Sequence, residues 1–305
     1  MYVVLSIGVC LFSILLFCVY RRNRGESSYR DKKVLIVGGS SGLGLALALD
    51  LKSRGAEVTI TSRSSGVLSD LEKKHGLTTQ TLDITDQRSV EAISTECQIV
   101  FCCAGICIPA LAEKITVEKI QKCMETNFYG AVRVFLHFLP RCSAENRKKM
   151  VFIASTLAYH SFAGYAAYSP SKAALRSFFE AVKEESKIKG LDLAIYYVST
   201  IDSPGLAEED KTKPEITKKI EGASRGPETS AENRAKHLLN SLPGSEVVIS
   251  DIITRFFSQS TEIHSLKDYF VWRVAPVFWL VFKAFSRYHT KNHFKRKSSA
   301  ASKSE

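Results

Sequence analysis

From residue 33 onward the chain alternates short apolar runs with segments of helical spacing, and this alternation limits the fold more than any other feature. Residues 33–37 form a short apolar run that leads into glycines. Residues 43–54 follow with helical spacing, and 57–61 are strand-like. Residues 66–75 read as helix, 79–82 as extended chain, 85–96 as helix and 99–103 as another apolar run. Residues 117–139 are a long helix candidate. Residues 150–154 and 193–198 are short apolar runs, separated by a helix over 168–187. Strands that alternate with helices build βαβ units, so a parallel sheet with helices on both faces is expected.

The flanks of this region have a different character. Residues 2–20 carry no charge, and a helix of that length can cross a bilayer core. A cleaved signal peptide is the alternative, but no basic segment precedes the run and no small-residue cleavage site ends it. We therefore read 1–20 as a transmembrane anchor and 21–32 as a linker. Net charge is +11, concentrated partly in Arg21, Arg22 and Arg24 and in Arg287, Lys291, Lys295, Arg296 and Lys297. Basic clusters beside apolar segments suit anionic headgroups and a cytosolic flank. No recognition motif accompanies them, so no nucleic-acid partner is expected. The main domain is assigned to 33–266, with its polar stretch at about 205–228 a lid loop, because that stretch is long for a connection. Residues 267–294 form an apolar, membrane-associated segment. Its stretch 269–285 holds Arg273, Pro276 and Lys283, which favours an interfacial or re-entrant path over a spanning helix; a buried terminal helix is the alternative. Residues 295–305 read as a basic disordered tail. The eight cysteines include no C-x-x-C pair, so reduced thiols are expected and no metal.

Two sites stand out in the core region. The first is the run 35–44, which holds Gly38, Ser40, Ser41, Gly42, Leu43 and Gly44 between a strand and a helix. There Gly38 allows a sharp turn, Gly42 lets the backbone approach phosphates and Gly44 permits close helix packing. The exposed amides of the helix start would face a pyrophosphate. The second strand ends in Thr61-Ser62-Arg63, without the acid that NAD sites place there. Arg63 offers a fork of donors suited to a 2′-phosphate, which favours NADPH as cofactor; a solvated surface arginine is the alternative.

The second site is Tyr168-Ser-Pro-Ser-Lys172, a pair four residues apart and so on one helix face. A nearby ammonium stabilises tyrosinate and would bring the phenol closer to neutral titration. Taken alone, such a pair is common on exposed helix faces. Here Ser155 lies at a strand end thirteen positions earlier and Asn127 in the preceding long helix.

This combination resembles the short-chain dehydrogenase/reductase superfamily over residues 33 to 250. The resemblance implies a Rossmann-like doubly wound α/β fold, to which the N-terminal transmembrane helix is added. Gly38, Gly42 and Gly44 match that family's T-G-x-x-x-G-x-G turn, with Val37 in place of threonine. Asp83 matches the residue near adenine. Cys102-Cys103-Ala104-Gly105 stands where N-N-A-G is usual, so Ala104 and Gly105 would border the cofactor. Asn127, Ser155, Tyr168 and Lys172 match the catalytic tetrad. The Ile201 backbone and Ser203 hydroxyl would hold the carboxamide. Tyr168 would donate a proton, Ser155 bond the carbonyl oxygen, Lys172 lower the Tyr168 pKa and bond the ribose, and Asn127 hold a relay water.

Within the superfamily, residues 201–214 are similar to the D-T-P-G-F-x-E-E-x-x-x-K-P segment of 3-ketodihydrosphingosine reductases. That family reduces the 3-keto group of a long-chain sphingoid base with NADPH, on the cytosolic side of the endoplasmic reticulum. The partners implied are that substrate and membrane lipid, while self-association into a homo-oligomer stays open. Glu208, Glu209 and Asp210 are candidates to meet the substrate ammonium, or else form a solvated loop face. A membrane-bound reductase of a steroid, retinoid or other lipid ketone is the alternative within the superfamily, and a catalytically silent scaffold the alternative outside it. Arg63→Ala is expected to weaken use of NADPH by about ten- to a hundredfold, the value of a charged hydrogen bond, while sparing NADH. Comparing kcat/KM for the two cofactors checks this, and equal or better use of NADH by the unaltered chain would overturn it.

Overall fold

The computed structural model describes residues 29–94, 96–222 and 226–259. Its strands are β1 (Lys33–Val37), β2 (Glu57–Ser62), β3 (Thr78–Thr81), β4 (Ile99–Cys102), β5 (Lys148–Ser155), β6 (Leu191–Val198) and β7 (Val247–Ile249). All pair in parallel, in the order β3-β2-β1-β4-β5-β6-β7. The first helices in chain order are α1 (Gly42–Ser53), α2 (Ser65–His75), α3 (Gln87–Glu91), α4 (Val117–Met124) and α5 (Gly130–Phe138). They are followed by α6 (Tyr168–Ile188), α7 (Pro204–Thr212), α8 (Glu215–Gly222), α9 (Ala231–Ser241) and α10 (Ile252–Gln259).

Side chains alternate across a strand, and the apolar runs feed two cores accordingly. Ile36, Phe101, Val151 and Tyr196 point to one face, where Leu43, Leu47 and Leu51 of α1 and Leu238 and Leu239 of α9 cover them. Val37, Val100, Phe152 and Ile195 point to the other, against Phe135 and Phe138 of α5 and Leu175 and Phe179 of α6. A sheet buried on both faces needs apolar residues at nearly every position of its central strands, which is why these segments read as runs. Since β1 pairs with β2 on one side and β4 on the other, the strand order reverses there. The connections leave on opposite faces, and a crevice opens beyond the strand ends.

Local chemistry adjusts several boundaries. The long helix expected over 117–139 is observed as one continuous helical run made of α4, a π turn at Glu125–Tyr129 and α5. The helix expected over 85–96 shortens to α3, because Asp86 caps it through the amides of Arg88 and Ser89. The stretch expected as a lid loop at 205–228 is instead largely helical. The Ser203 hydroxyl accepts from the Leu206 amide and Pro204 opens α7, both helix-starting signals. The expected anchor 1–20, most of the expected linker 21–32, and the expected membrane-associated segment 267–294 and tail 295–305 lie outside the described residues. Among the described residues no helix is long and apolar enough to cross a membrane.

Leu47 has no exposed surface. Leu47→Ala should destabilise the domain by about 2–5 kcal/mol, as large-to-small core changes do. Leu136→Ala, on the outer face of α5, should change stability by less than about 0.5 kcal/mol. Urea unfolding midpoints check both, and equal effects would contradict this packing.

Candidate active site

The crevice is a cleft of 1280 Å³ at the carboxyl ends of the central strands. Gly38, Ser40, Ser41, Leu43 and Gly44 of the β1–α1 turn line one end. The amides of Gly38 and Gly39 donate to the Thr61 carbonyl at 3.1 and 2.9 Å, which pins the turn to β2. Gly44 has to be bare, since a Cβ there would meet the Gly38 carbonyl oxygen at 2.2 Å. Ser41, the N-cap of α1, leaves the helix uncapped by its side chain, and no acidic residue occupies the first turn. The first amides and their partial positive charge therefore remain for an anion. Nearby, the buried Thr61 hydroxyl lines the cleft without a hydrogen-bond partner.

Arg63 and Asp83 border the same end. Arg63 is exposed and follows β2 directly. The Asp83 carboxylate accepts from the Thr85 hydroxyl at 2.7 Å and its amide at 2.9 Å. These bonds, with a smaller contribution from Arg63, hold Asp83 below the usual carboxylate range. An uncapped helix start, an orphaned hydroxyl and an arginine in place of an acid suit a phosphate-bearing dinucleotide.

At the middle of the cleft, β5 ends at Ser155 and α6 begins at Tyr168. The Ser155 hydroxyl accepts from the Leu157 amide at 3.1 Å and lines the cleft with Tyr168. Lys172, one turn along α6, donates to the Ile153 carbonyl at 2.8 Å and lies 5.8 Å from the Tyr168 ring centroid. Burial lowers the Lys172 pKa to about 8. The expected lowering of the Tyr168 pKa by Lys172 needs correction. Loss of water around the buried phenol raises it, and what opposes the rise is the polarity of the Ser155 hydroxyl, not Lys172. The Lys172 ammonium spends its short contact on a backbone carbonyl instead.

Ser155, Tyr168 and Lys172 thus line the cleft together with Ala104, Gly105, Ile201 and Ser203, and Ala104 packs on the glycine turn, where a Gly38 Cβ would come within 2.6 Å of it. Asn127 stands behind the cleft wall, while Gly42 lies on the glycine turn, where a Cβ would come within 3.2 Å of Ser203. The Asn127 amide is buried; it accepts from the Ile106 amide at 2.8 Å and donates to the Ile106 carbonyl and Ser171 hydroxyl, both at 2.9 Å. It clamps the turn at Gly105–Ile106, and the π turn is what directs it inward.

The acidic candidates are already engaged. Glu208 pairs with Lys211, while Glu209 and Asp210 pair with Lys213 at 2.9 and 3.0 Å. Sequence reasoning missed Tyr165, Lys213 and Arg234. Arg234 is buried on α9 and donates to the Ser250 carbonyl at 3.1 Å and the Ser199 hydroxyl at 2.7 Å, holding the loop after β6. Nothing in the polar surroundings of Arg234 or Lys213 signals burial. The cysteines of the described region are free, and burial raises the Cys97 thiol to about 11 and Cys102 to about 12.

The sequence profile of the family described as short chain dehydrogenase matches residues 32–214. A PIGF/3-ketodihydrosphingosine reductase fusion protein of Schizosaccharomyces pombe is 30% identical over 247 residues, or 74% of this chain and 49% of that protein. A 3-ketodihydrosphingosine reductase of Cryptococcus neoformans is 36% identical over 216 residues, or 64% of each chain. In both cases this chain spans less than two thirds of the relative's length. A short chain dehydrogenase from Burkholderia cenocepacia, solved in complex with NADP, superposes with a TM-score of 0.65 at 20% identity. The match covers 76% of this chain and 92% of that one, and carries the fold.

The depressed Lys172 pKa has a consequence for stability. Between about 8 and the ordinary 10.5 the folded chain holds fewer protons at Lys172 than the unfolded chain does. Lys172 should therefore contribute stability that rises with pH across that window, against the fall that the raised thiols of Cys97 and Cys102 impose there. Lys172→Met should remove this contribution and make stability fall more steeply with pH. Urea unfolding of both proteins between about pH 7 and about pH 9.5, below tyrosine ionisation, checks it. Identical pH slopes would contradict it.

Proposed function

The chain belongs to the short chain dehydrogenase family, and we propose that it is an NADPH-dependent reductase that converts 3-ketodihydrosphingosine to dihydrosphingosine. The observation that carries this reading is the Tyr168 phenol, one helical turn from Lys172, lining with Lys172 and Ser155 the cleft that also holds the glycine turn.

The bound dinucleotide would supply a hydride to the ketone carbon. Gly38, Ser40, Ser41, Gly42, Leu43 and Gly44 would cradle its pyrophosphate at the start of α1. Arg63 would meet the 2′-phosphate, Asp83 would lie near adenine, and Ala104 and Gly105 would border the ring systems. The Ser203 hydroxyl accepts a cap bond yet still has a proton to donate, so it would hold the carboxamide together with the Ile201 backbone.

Reduction requires a proton for the developing alkoxide. With its pKa raised by burial, Tyr168 is in the acid form at neutral pH and would pass its proton to the ketone oxygen. Ser155 would bond the same oxygen and stabilise charge as it develops. Lys172 would bond the ribose hydroxyls. Asn127 would act by holding the Gly105–Ile106 turn against Lys172, whose ammonium lies 3.6 Å from where a Gly105 Cβ would sit.

The names of the curated relatives support the sphingoid-base substrate. A membrane anchor at 2–20 would place the cleft beside a bilayer at the endoplasmic reticulum, facing the cytosol. Protease treatment of sealed microsomes checks the orientation, and full protection of the domain without detergent would reverse it.

Tyr168→Phe is expected to lower turnover by about 10²–10⁴-fold while NADPH still binds. Product analysis with 3-ketosphinganine, a steroid ketone and a short β-keto compound tests the substrate. Formation of dihydrosphingosine in detergent micelles with NADPH is the expected result. Turnover of the steroid ketone alone would overturn the substrate and leave the reductase chemistry standing.

A further inference from the structure

The polar segment that follows β6 forms one wall of the cleft, to which α7 contributes Leu206 and Glu209 and α8 contributes Ile220 and Glu221. The two helices meet at Lys213. Its side chain has no exposed surface, and its ammonium pairs with Glu209 and Asp210 on α7 and with Glu221 on α8. Burial alone would lower its pKa, but the carboxylates hold it well above its ordinary value. A lysine buried among carboxylates is a joint that resists opening, because removing the cation leaves buried charges unpaired.

The joint reaches beyond the two helices. Glu209 accepts from the Tyr165 phenol at 2.9 Å, and the Lys213 ammonium lies 5.9 Å from the Tyr165 ring centroid. On the next residues the Thr217 hydroxyl donates to the Ala163 carbonyl at 2.9 Å. Between these contacts sits Gly164, at φ +99°, where a Cβ would meet the Thr217 hydroxyl at 2.0 Å. Only glycine allows α8 to come this close.

Tyr165 is also the foundation of the helix that carries Tyr168. Its carbonyl accepts from the amides of Tyr168 at 3.1 Å and Ser169 at 2.9 Å. The N-cap of α6 is Ala167, which has no side chain to cap with. The first amides of α6 therefore depend on the Tyr165 carbonyl, and the Tyr165 side chain is tied to Glu209 and Lys213.

We propose that Lys213 is a positioning residue for the proton donor: acting through Glu209 and Tyr165, it fixes the turn from which Tyr168 projects and locks the α7–α8 wall against it. The proposal rests on the reading of Tyr168 as proton donor. It predicts that damage to the joint appears in the proton-transfer step and leaves cofactor binding intact.

The test follows turnover with NADPH and the ketone that the unaltered protein reduces, together with NADPH binding by fluorescence. Lys213→Met is expected to lower kcat by about ten- to a hundredfold, the cost of a small misplacement at a reacting centre, with NADPH affinity unchanged. Tyr165→Phe removes one hydroxyl and is expected to lower kcat by about three- to tenfold. In both, the solvent deuterium isotope effect on kcat should rise, because proton donation becomes slower relative to the other steps. Lys213→Arg, which keeps the cation, should recover part of the loss. Unchanged kcat, or a lower kcat with an unchanged isotope effect, would overturn the proposal, since a merely structural defect reduces the amount of active enzyme and not the character of the step. If Lys213→Met fails to fold, Tyr165→Phe decides alone. An inactive Tyr168→Phe beside a fully active Tyr165→Phe overturns this inference and spares the reductase reading. A chain that reduces no ketone at all removes both.

Discussion

The parallel pairing of β1 with β4 is the constraint on which the rest of the structure depends. It places two strands side by side whose following segments leave on opposite faces of the sheet, so the space beyond their carboxyl ends cannot be filled by either connection. The glycine turn after β1 occupies one bank of that space. The end of β5 and the start of α6 bring Ser155 and Tyr168 to the same cleft, and the segment after β6 returns Ser203 to the glycine turn. Both cores serve this arrangement, because covering the two faces with α1 and α9 on one side and α5 and α6 on the other keeps the sheet in register beneath the cleft.

What fixes the upper rim is polar. Lys172 bonds the carbonyl of Ile153, Arg234 bonds the loop after β6, and Lys213 joins α7 to α8. Each is a cation taken out of water and each is matched by carbonyls, hydroxyls or carboxylates. Such contacts contribute modestly to net stability, because desolvation offsets most of their attraction. Their effect is geometric: with partners in fixed directions, one arrangement of the rim is favoured over its neighbours. An apolar rim would hold the loops together but would tolerate sliding, and a proton donor cannot be placed by contacts that slide.

Much of this was legible in the sequence, and the reason is local. Apolar runs of strand length, helical spacing and the glycine turn each express short-range rules, and the strand and helix alternation they imply is the one observed. Arg63 after β2 and the Tyr168–Lys172 spacing are likewise read within a few residues. The errors fall where two local signals compete. The segment 205–228 reads as loop from its charge, yet Ser203 and Pro204 start a helix there. The helix over 117–139 is continuous as read, and only its π turn at Glu125–Tyr129, which holds Asn127, has no sequence signal.

The sequence by itself determined the order of strands and helices, the glycine turn and the candidate tyrosine and lysine, because each is set by neighbours along the chain. Only the tertiary structure decided which polar residues are buried. Lys213, Arg234 and Glu209 look like any solvated charge in a polar stretch; their partners Glu221, Ser250, Ser199 and Tyr165 lie 8 to 44 positions away. Tertiary structure also decided the state of Tyr168. A pair spaced for tyrosinate stabilisation turned out to be governed by burial, since the Lys172 ammonium is claimed by a strand carbonyl that no helical spacing reveals.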